Sequence, residues 1–264
     1  MYTICKDIKE LNEILNHDLK SVKQWLDCNK LSLNVSKTEL LILGSNQRLS
    51  KIEKDDLNVS IDGVKLQQVT SCKHLGVIID ENLSWNDHVE SIVKKSRSGL
   101  YMLNKVKPYV PSNTMNMIYN SLLAPYFDYC DVIWGTCNST TRHKVQKMQN
   151  RAAKIITGGT WYDSSTAALN TLHWYNIKER YEFHLATAMY KIINGHTPSY
   201  LCNRFHVKTS GYELRGHKRL TIPIPKTEFK KRSISYSGAT LWNSMTDDLK
   251  TACNISQFRA KYNI

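Results

Sequence analysis

Apolar residues change period twice along this chain of 264 residues. Over residues 7 to 29, Ile8, Leu11, Leu15, Leu19, Val22 and Leu26 recur every three or four positions, the spacing of one buried helix face. From residue 39 to 79 the period shortens. Glu39 to Leu43 is a short apolar run that ends at Gly44. Val59 and Ile61 alternate before Asp62-Gly63, a hairpin turn signal, and Val64 and Leu66 alternate after it. His74 to Ile79 is a further apolar, β-branched run. These runs predict three or four antiparallel strands in one small sheet, with the helix over 7–29 packed on it as an α+β unit.

Helical spacing returns at residue 84. Ser84 is placed to cap a helix to about Lys105, with Val89, Ile92, Ser96, Leu100 and Leu103 on one face. Pro108 and Pro111 end it, Ser112 caps the next helix, and Pro125 stops or kinks that one. The aromatic run Tyr126 to Trp134 has no decisive period. Residues 139–157 form a clear helix closed by Gly158-Gly159, and another spans about 176–194 with Gly195 as its stop. Residues 196–232 carry Pro223 and Pro225 without a sustained period and read as a basic loop region; short helices follow over 233–245 and from 256 to the end. The resulting division is 1–83, 84–195 and 196–264. The fold class is α+β: a small antiparallel sheet, then a mainly helical remainder.

Charge is divided unevenly. Residues 1–92 hold 11 basic and 14 acidic side chains, while residues 93–264 hold 25 basic and 9 acidic. Such asymmetry points to a polyanionic partner. Arg204 to Arg232 is the densest basic run, and Arg215, Lys218, Arg219, Lys230, Lys231 and Arg232 are its candidate contacts. On the helix over 139–157, Val145, Met148, Ala152 and Ile155 share one face, and Lys144, Lys147, Arg151 and Lys154 share an adjoining one. A row of cations at that spacing can follow a phosphate backbone and release its counterions. The plainer reading is a solvated helix face. The Tyr, Trp and Phe residues interleaved with the cations favour nucleic acid, because they offer stacking surfaces for bases.

Other chemistries find little support. No run of 18 apolar residues is available to span a membrane. The N-terminus lacks the apolar stretch of a secretory signal. Seven cysteines without a C-x-x-C pair fit reduced thiols of the cytosol or nucleus. Cys130, Cys137 and His143 are too widely spaced for the usual zinc motifs. No G-x-S-x-G, P-loop or G-x-G-x-x-G occurs. Asp55-Asp56 lies in a charged connection and Asp247-Asp248 at a helix start, so neither pair reads as a two-metal site.

Several segments resemble one family in order and spacing. Leu31-Ser-Leu-Asn-Val-Ser-Lys-Thr-Glu39 with Leu41-Ile-Leu-Gly44 resembles motif D of the palm in reverse transcriptases of non-LTR retrotransposons, of the jockey and CR1-like kind. Lys73-His-Leu-Gly-Val-Ile-Ile-Asp80 resembles motif E, the primer grip. Tyr119 to Cys130 with Trp134-Gly135, and Lys147 to Ile156, are similar to the thumb that follows. Ser235-Tyr-Ser-Gly-Ala-Thr-Leu-Trp-Asn-Ser244 is similar to the tail of these reading frames.

The resemblance implies a truncated fragment: the end of the palm, the thumb and a C-terminal extension of an RNA-directed DNA polymerase. The family's catalytic carboxylates come from motifs A and C, which precede motif D, so the chain alone is expected to be inactive. By resemblance Lys37 is a remnant of the motif D lysine, and Leu75 and Gly76 lie at the primer-grip turn. Lys144, Lys147, Arg151 and Lys154 would follow the product duplex. The implied partner is RNA or an RNA/DNA duplex, with no membrane and with missing polymerase segments supplied in trans. Mg2+ is implied only for the complete polymerase, and no cofactor for this chain. A domesticated, non-catalytic nucleic-acid-binding module and a non-functional translated relic stay open beside this reading.

Overall fold

A computed structural model describes residues 1–5, 7–52, 56–208 and 219–262. The chain forms two compact units, Met1–Asp87 and His88–Ile264. It is an α+β protein, as its changing period predicts. Among the described residues no helix is long and apolar enough to cross a membrane.

In the first unit, α1 spans Ile8–Cys28, and Asp7 caps it by accepting from the Lys9 N–H. Leu15 on its inner face packs with Leu57, Val59, Ile61 and Leu66. Two asparagines tie the helix to the extended chain beneath it. Asn12 Oδ1 accepts from the Asn58 N–H at 3.1 Å, and Asn16 Oδ1 accepts from the Ser60 N–H at 3.0 Å. They satisfy backbone groups that a neighbouring strand would otherwise take.

The strands are β1 (Glu39–Leu41), β2 (Ser60–Ile61), β3 (Val64–Lys65), β4 (Gln67–Val69), β5 (Ser71–His74) and β6 (Val77–Asp80), with a short α2 (Asn46–Leu49) after β1. They pair as three two-stranded ladders. The β2–β3 and β5–β6 hairpins are antiparallel, but β1 and β4 pair in parallel. The parallel pair departs from the antiparallel expectation. The long connection through α2 and the β2–β3 hairpin gives the chain room to return in the same direction.

Both hairpins turn on two residues with positive φ: Asp62 (52°) with Gly63 (79°), and Leu75 (45°) with Gly76 (85°). That is the turn geometry that matches strand twist, and Asp-Gly suits it well. Leucine does not, since a left-handed conformation crowds its Cβ.

The second unit is helical. α3 (Asn86–Val106) buries Val89, Ile92, Ser96, Leu100 and Leu103, the face read from the sequence. The loop before it is organised by Asp80, whose carboxylate accepts from the N–H groups of Asn82, Ser84 and Trp85. α4 (Ser112–Leu122) and α5 (Ala124–Asp128) meet at Leu123, with Pro125 in the first turn of α5, and α6 (Asp131–Trp134) follows. The aromatic run thus forms two short helices, with Phe127 and Trp134 buried.

α7 (Ser139–Ile156) is capped by Asn138, which accepts from the Thr141 N–H. Its buried face is Val145, Gln149, Ala152, Ala153 and Ile156. This corrects the expected face by about one position, leaving Met148 and Ile155 half-buried. The shift has a polar cause. Gln149 Nε2 donates to the Tyr175 carbonyl, and Gln146 Oε1 accepts from the Ile177 N–H, both at 2.8 Å. α8 (Ser165–Thr171) has no counterpart among the helices expected from periodicity; Leu169 and Ala168 pack it on Ala153.

α9 (Ile177–Ile193) starts in a reciprocal capping box between Asn176 and Glu179. It carries a core shared with α12 (Ile234–Ser244) and α14 (Ile255–Lys261), filled by Leu185, Met189, Tyr190, Trp242 and Phe258. The intervening region is not all loop. It holds α10 (Ser199–Cys202), a bridge between Val207 and Leu220, and α11 (Glu228–Arg232); α13 (Asp247–Lys250) lies further on. Leu220 is buried in that core, and the Asn243 side chain binds its N–H and C=O at 2.8 and 2.9 Å.

Candidate nucleic-acid interface

Two helical stripes face each other in the second unit. Along α3, Glu90, Lys94, Arg97, Tyr101 and Asn104 fall at steps of three or four, on the side away from the buried residues. Along α7, Lys144, Met148, Arg151 and Ile155 recur at the same steps, with Lys147 beside Met148, on the flank next to the buried face. The two stripes line one groove. Its wider part has a volume of about 750 Å³ between Glu90, Lys94, Arg97, Lys144, Lys147 and Met148. A smaller hollow of about 220 Å³, which shares Arg97 with the first, lies between Arg97, Tyr101, Asn104, Arg151 and Ile155.

Five cations therefore border the groove: Lys94, Arg97, Lys144, Lys147 and Arg151. Glu90 is the single acid among the lining residues and pairs with Lys144 at 3.0 Å. Both side chains are open to solvent, Lys144 by 44% and Glu90 by 65%, so the pair contributes little stability and yields to a competing anion. Lys94 to Asn104 covers about 15 Å of helix axis, near four base-pair steps of a duplex strand. The apolar stems of Val93, Met148 and Ile155 complete the walls.

The groove brings together three of the four α7 cations expected from sequence. Lys154 lies just beyond, and its Nζ donates to the Trp161 carbonyl at 2.9 Å. Sequence reading missed Lys94 and Arg97. Their signal is present as the polar stripe opposite Val89, Ile92 and Leu103, but which helix faces α7 is a tertiary fact.

The remaining candidates lie elsewhere. Arg219 is exposed beside the buried Leu220. On α11, Lys231 pairs with Glu228 at 2.6 Å, Arg232 lies 5.2 Å over the Phe229 ring, and Lys230 is exposed. None of these lines the groove. Arg215 and Lys218, like Asp55, lie outside the described residues. Lys37 is exposed in a single 3-10 turn, where Asn34 Oδ1 accepts from its backbone N–H. Leu75 is 78% exposed at the β5–β6 tip. An apolar side chain held outward at positive φ is unusual, and such backbone strain concentrates at functional turns.

One cluster of potential metal ligands occurs among the described residues: Asp128, Asp131 and His184. Each of its side chains is already paired within the fold. Arg180 on α9 grips both carboxylate oxygens of Asp128. His184, one turn on, lies 2.5 Å from Asp131 through Nδ1. The Asp131 hydrogen bond raises the His184 pKa against the pull of burial, while burial raises that of Asp131. The set is best described as two charge pairs pinning α5 and α6 to α9. Cys137 is buried, which pushes its thiol up, and His143 is exposed, so the Cys130–Cys137–His143 spacing does not converge.

Comparison with known proteins adds relatives over part of the chain. It is 31% identical over 118 residues to the probable RNA-directed DNA polymerase from transposon X-element of Drosophila melanogaster, covering 44% of this chain and 13% of that protein. It is 25% identical over 130 residues to the probable RNA-directed DNA polymerase from transposon BS of the same fly, covering 48% and 14%. It is 24% identical over 158 residues to the RNA-directed DNA polymerase from mobile element jockey of Drosophila funebris, covering 59% and 17%. The chain thus spans less than a fifth of the length of these relatives. No protein-family profile and no solved structure matches it.

Proposed function

We propose that this chain, homologous over about half its length to the RNA-directed DNA polymerases of jockey-like non-LTR retrotransposons, grips the backbone of an RNA or RNA/DNA duplex in the groove between α3 and α7. The observation that carries the reading is the facing pair of cationic stripes. Lys94, Arg97, Lys147 and Arg151, with Lys144 released from Glu90, supply positive charge along both walls. Interactions of this kind position a duplex without reading its sequence. In the family's terms this is thumb chemistry.

Catalysis is assigned to carboxylates outside the chain, reached if polymerase segments are supplied in trans. Two-metal nucleotidyl transfer needs converging carboxylates with oxygens to spare. Among the described residues, Asp128 is held by Arg180, Asp131 by His184, Asp80 by three backbone N–H groups and Asp248 by Lys261. The Leu75-Gly76 turn is assigned to the primer end, where an exposed leucine can rest on a terminal sugar or base.

Fluorescence anisotropy with a labelled, blunt RNA/DNA duplex tests the reading. Binding that weakens steeply and log-linearly with salt is expected, with a slope of about −4 for four to five neutralised phosphates. No binding at low salt, or binding indifferent to salt, overturns it.

A further inference from the structure

An aromatic turn follows the groove-lining helix α7. α7 finishes at Ile156 in a tight Schellman closure: Gly158 takes φ 77°, the Gly159 N–H donates to the Lys154 carbonyl at 2.8 Å, and the Gly158 N–H reaches the Ile155 carbonyl at 3.4 Å. The next four residues, Thr160 to Asp163, form a turn. Asp163 Oδ2 accepts from the Thr160 backbone N–H at 2.5 Å and from its hydroxyl at 3.0 Å. Lys154 reaches forward from α7 and donates to the Trp161 carbonyl. The backbone of the turn is therefore tied at both ends, while its two central side chains point to solvent. Trp161 is 78% exposed and Tyr162 is 95% exposed.

Two adjacent large aromatics held outward on an anchored turn are costly to leave in water. In sequence they follow Ile155, which lines the groove with Arg151, Tyr101 and Asn104, by six and seven residues, and Lys154 on α7 reaches the Trp161 carbonyl. Tyr101 is itself 62% exposed. Cations that follow a backbone, succeeded by aromatic faces, are the two components of a single-strand binding track.

We infer that Trp161 and Tyr162 form a stacking platform for unpaired bases of a nucleic-acid strand leaving the α3–α7 groove. This rests on the groove binding a nucleic-acid backbone, and it adds a ligand class, single-stranded nucleotides beside the duplex, and the residues that hold it. Stacking is tolerant of sequence, because every base presents a π face. Anchoring by Lys154 and Asp163 limits the ordering cost when a base arrives.

The test uses the full chain and two probes, a blunt RNA/DNA duplex and the same duplex with a four-nucleotide single-stranded overhang. The wild type should prefer the overhang probe by roughly tenfold, the scale of one or two stacked bases. Trp161→Ala/Tyr162→Ala should abolish that preference while leaving blunt-duplex affinity unchanged. Because both side chains are exposed, the variant should keep its circular dichroism spectrum. A 2-aminopurine placed in the overhang gives a readout on the wild type alone: its fluorescence should be quenched on binding. Equal affinity for both probes, or a variant that keeps the overhang preference, overturns the platform. Failure of the blunt duplex to bind, with overhang binding retained, overturns the duplex reading and supports the platform.

Discussion

Neutralising Lys147 and Arg151 together, as Lys147→Gln/Arg151→Gln, is the most informative perturbation of the groove. Both residues are exposed on α7, away from its buried Val145, Gln149 and Ala152, so the helix should fold unchanged. Each cation removed from a phosphate takes about 0.9 off the salt slope on a duplex. At 0.1 M monovalent salt each cation then supplies about eightfold in affinity, so the pair should cost about 60-fold. At 0.2 M each supplies about fourfold, and the same double variant should lose only about 20-fold. Anisotropy titrations at four salt concentrations give both numbers: the slope should fall by about 2, and the wild-type and variant lines should converge at high salt. Lys94→Gln/Arg97→Gln on the opposite wall should behave alike. Lys178→Gln, an exposed α9 lysine paired with Glu182, should do nothing. A large affinity loss with an unchanged slope would refute the reasoning, because it would mean that the residues act through structure rather than through phosphate neutralisation.

Three further outcomes follow from the geometry. Leu75→Gly relieves a left-handed leucine and should stabilise the β5–β6 hairpin by about 1 kcal/mol in chemical denaturation; a loss of stability would show that the leucine packs rather than strains. Gly135→Ala would place a Cβ against the Tyr181 ring and 2.5 Å from the Asp131 carbonyl oxygen, so the melting curve should record a loss of about 1–3 kcal/mol, and an unchanged curve would contradict the close approach. The folded-state pKa values of His184 and Asp131 are both raised, so the folded chain holds protons more tightly than the unfolded chain. The Asp131 contribution therefore declines separately above the ordinary carboxylate value of 3.8, while the His184 contribution is fully present below the ordinary histidine value of 6.5 and is lost as pH rises through its higher folded value. Denaturation at pH 6 and 9 should show that decline in the wild type and not in His184→Gln; parallel profiles for the two proteins would exclude the pair as its source.

Much of the architecture is legible in the sequence because helix period and turn chemistry are local. Asn138, Asn176, Gly158 and Gly195 mark helix ends by satisfying or terminating backbone hydrogen bonds, and the structure closes the helices within a residue or two of them. Asp62-Gly63 announces its hairpin for the same reason. The parallel pairing of β1 with β4 is not legible, since each is three residues long and their register depends on the chain between them. α8 escapes notice because seven residues with two apolar anchors carry no period. In the site, the α7 cations can be read from spacing alone. Lys94 and Arg97 require knowing which helix lies opposite, and the α7 face turns by one position because Gln146 and Gln149 bind the start of α9. The Arg180–Asp128 and His184–Asp131 pairs do leave a trace, cations four apart on α9 and acids three apart at the end of α5 and the start of α6, but their match is visible only when the helices meet.

Amine footprinting tests the central claim most directly. The chain is acetylated with and without a bound RNA/DNA duplex, and modification at each lysine is read by mass spectrometry. Groove binding predicts strong protection of Lys94, Lys144 and Lys147, with Lys20, Lys178 and Lys191 reacting as before. Protection concentrated at Lys230 and Lys231, or spread evenly over the lysines, would contradict it.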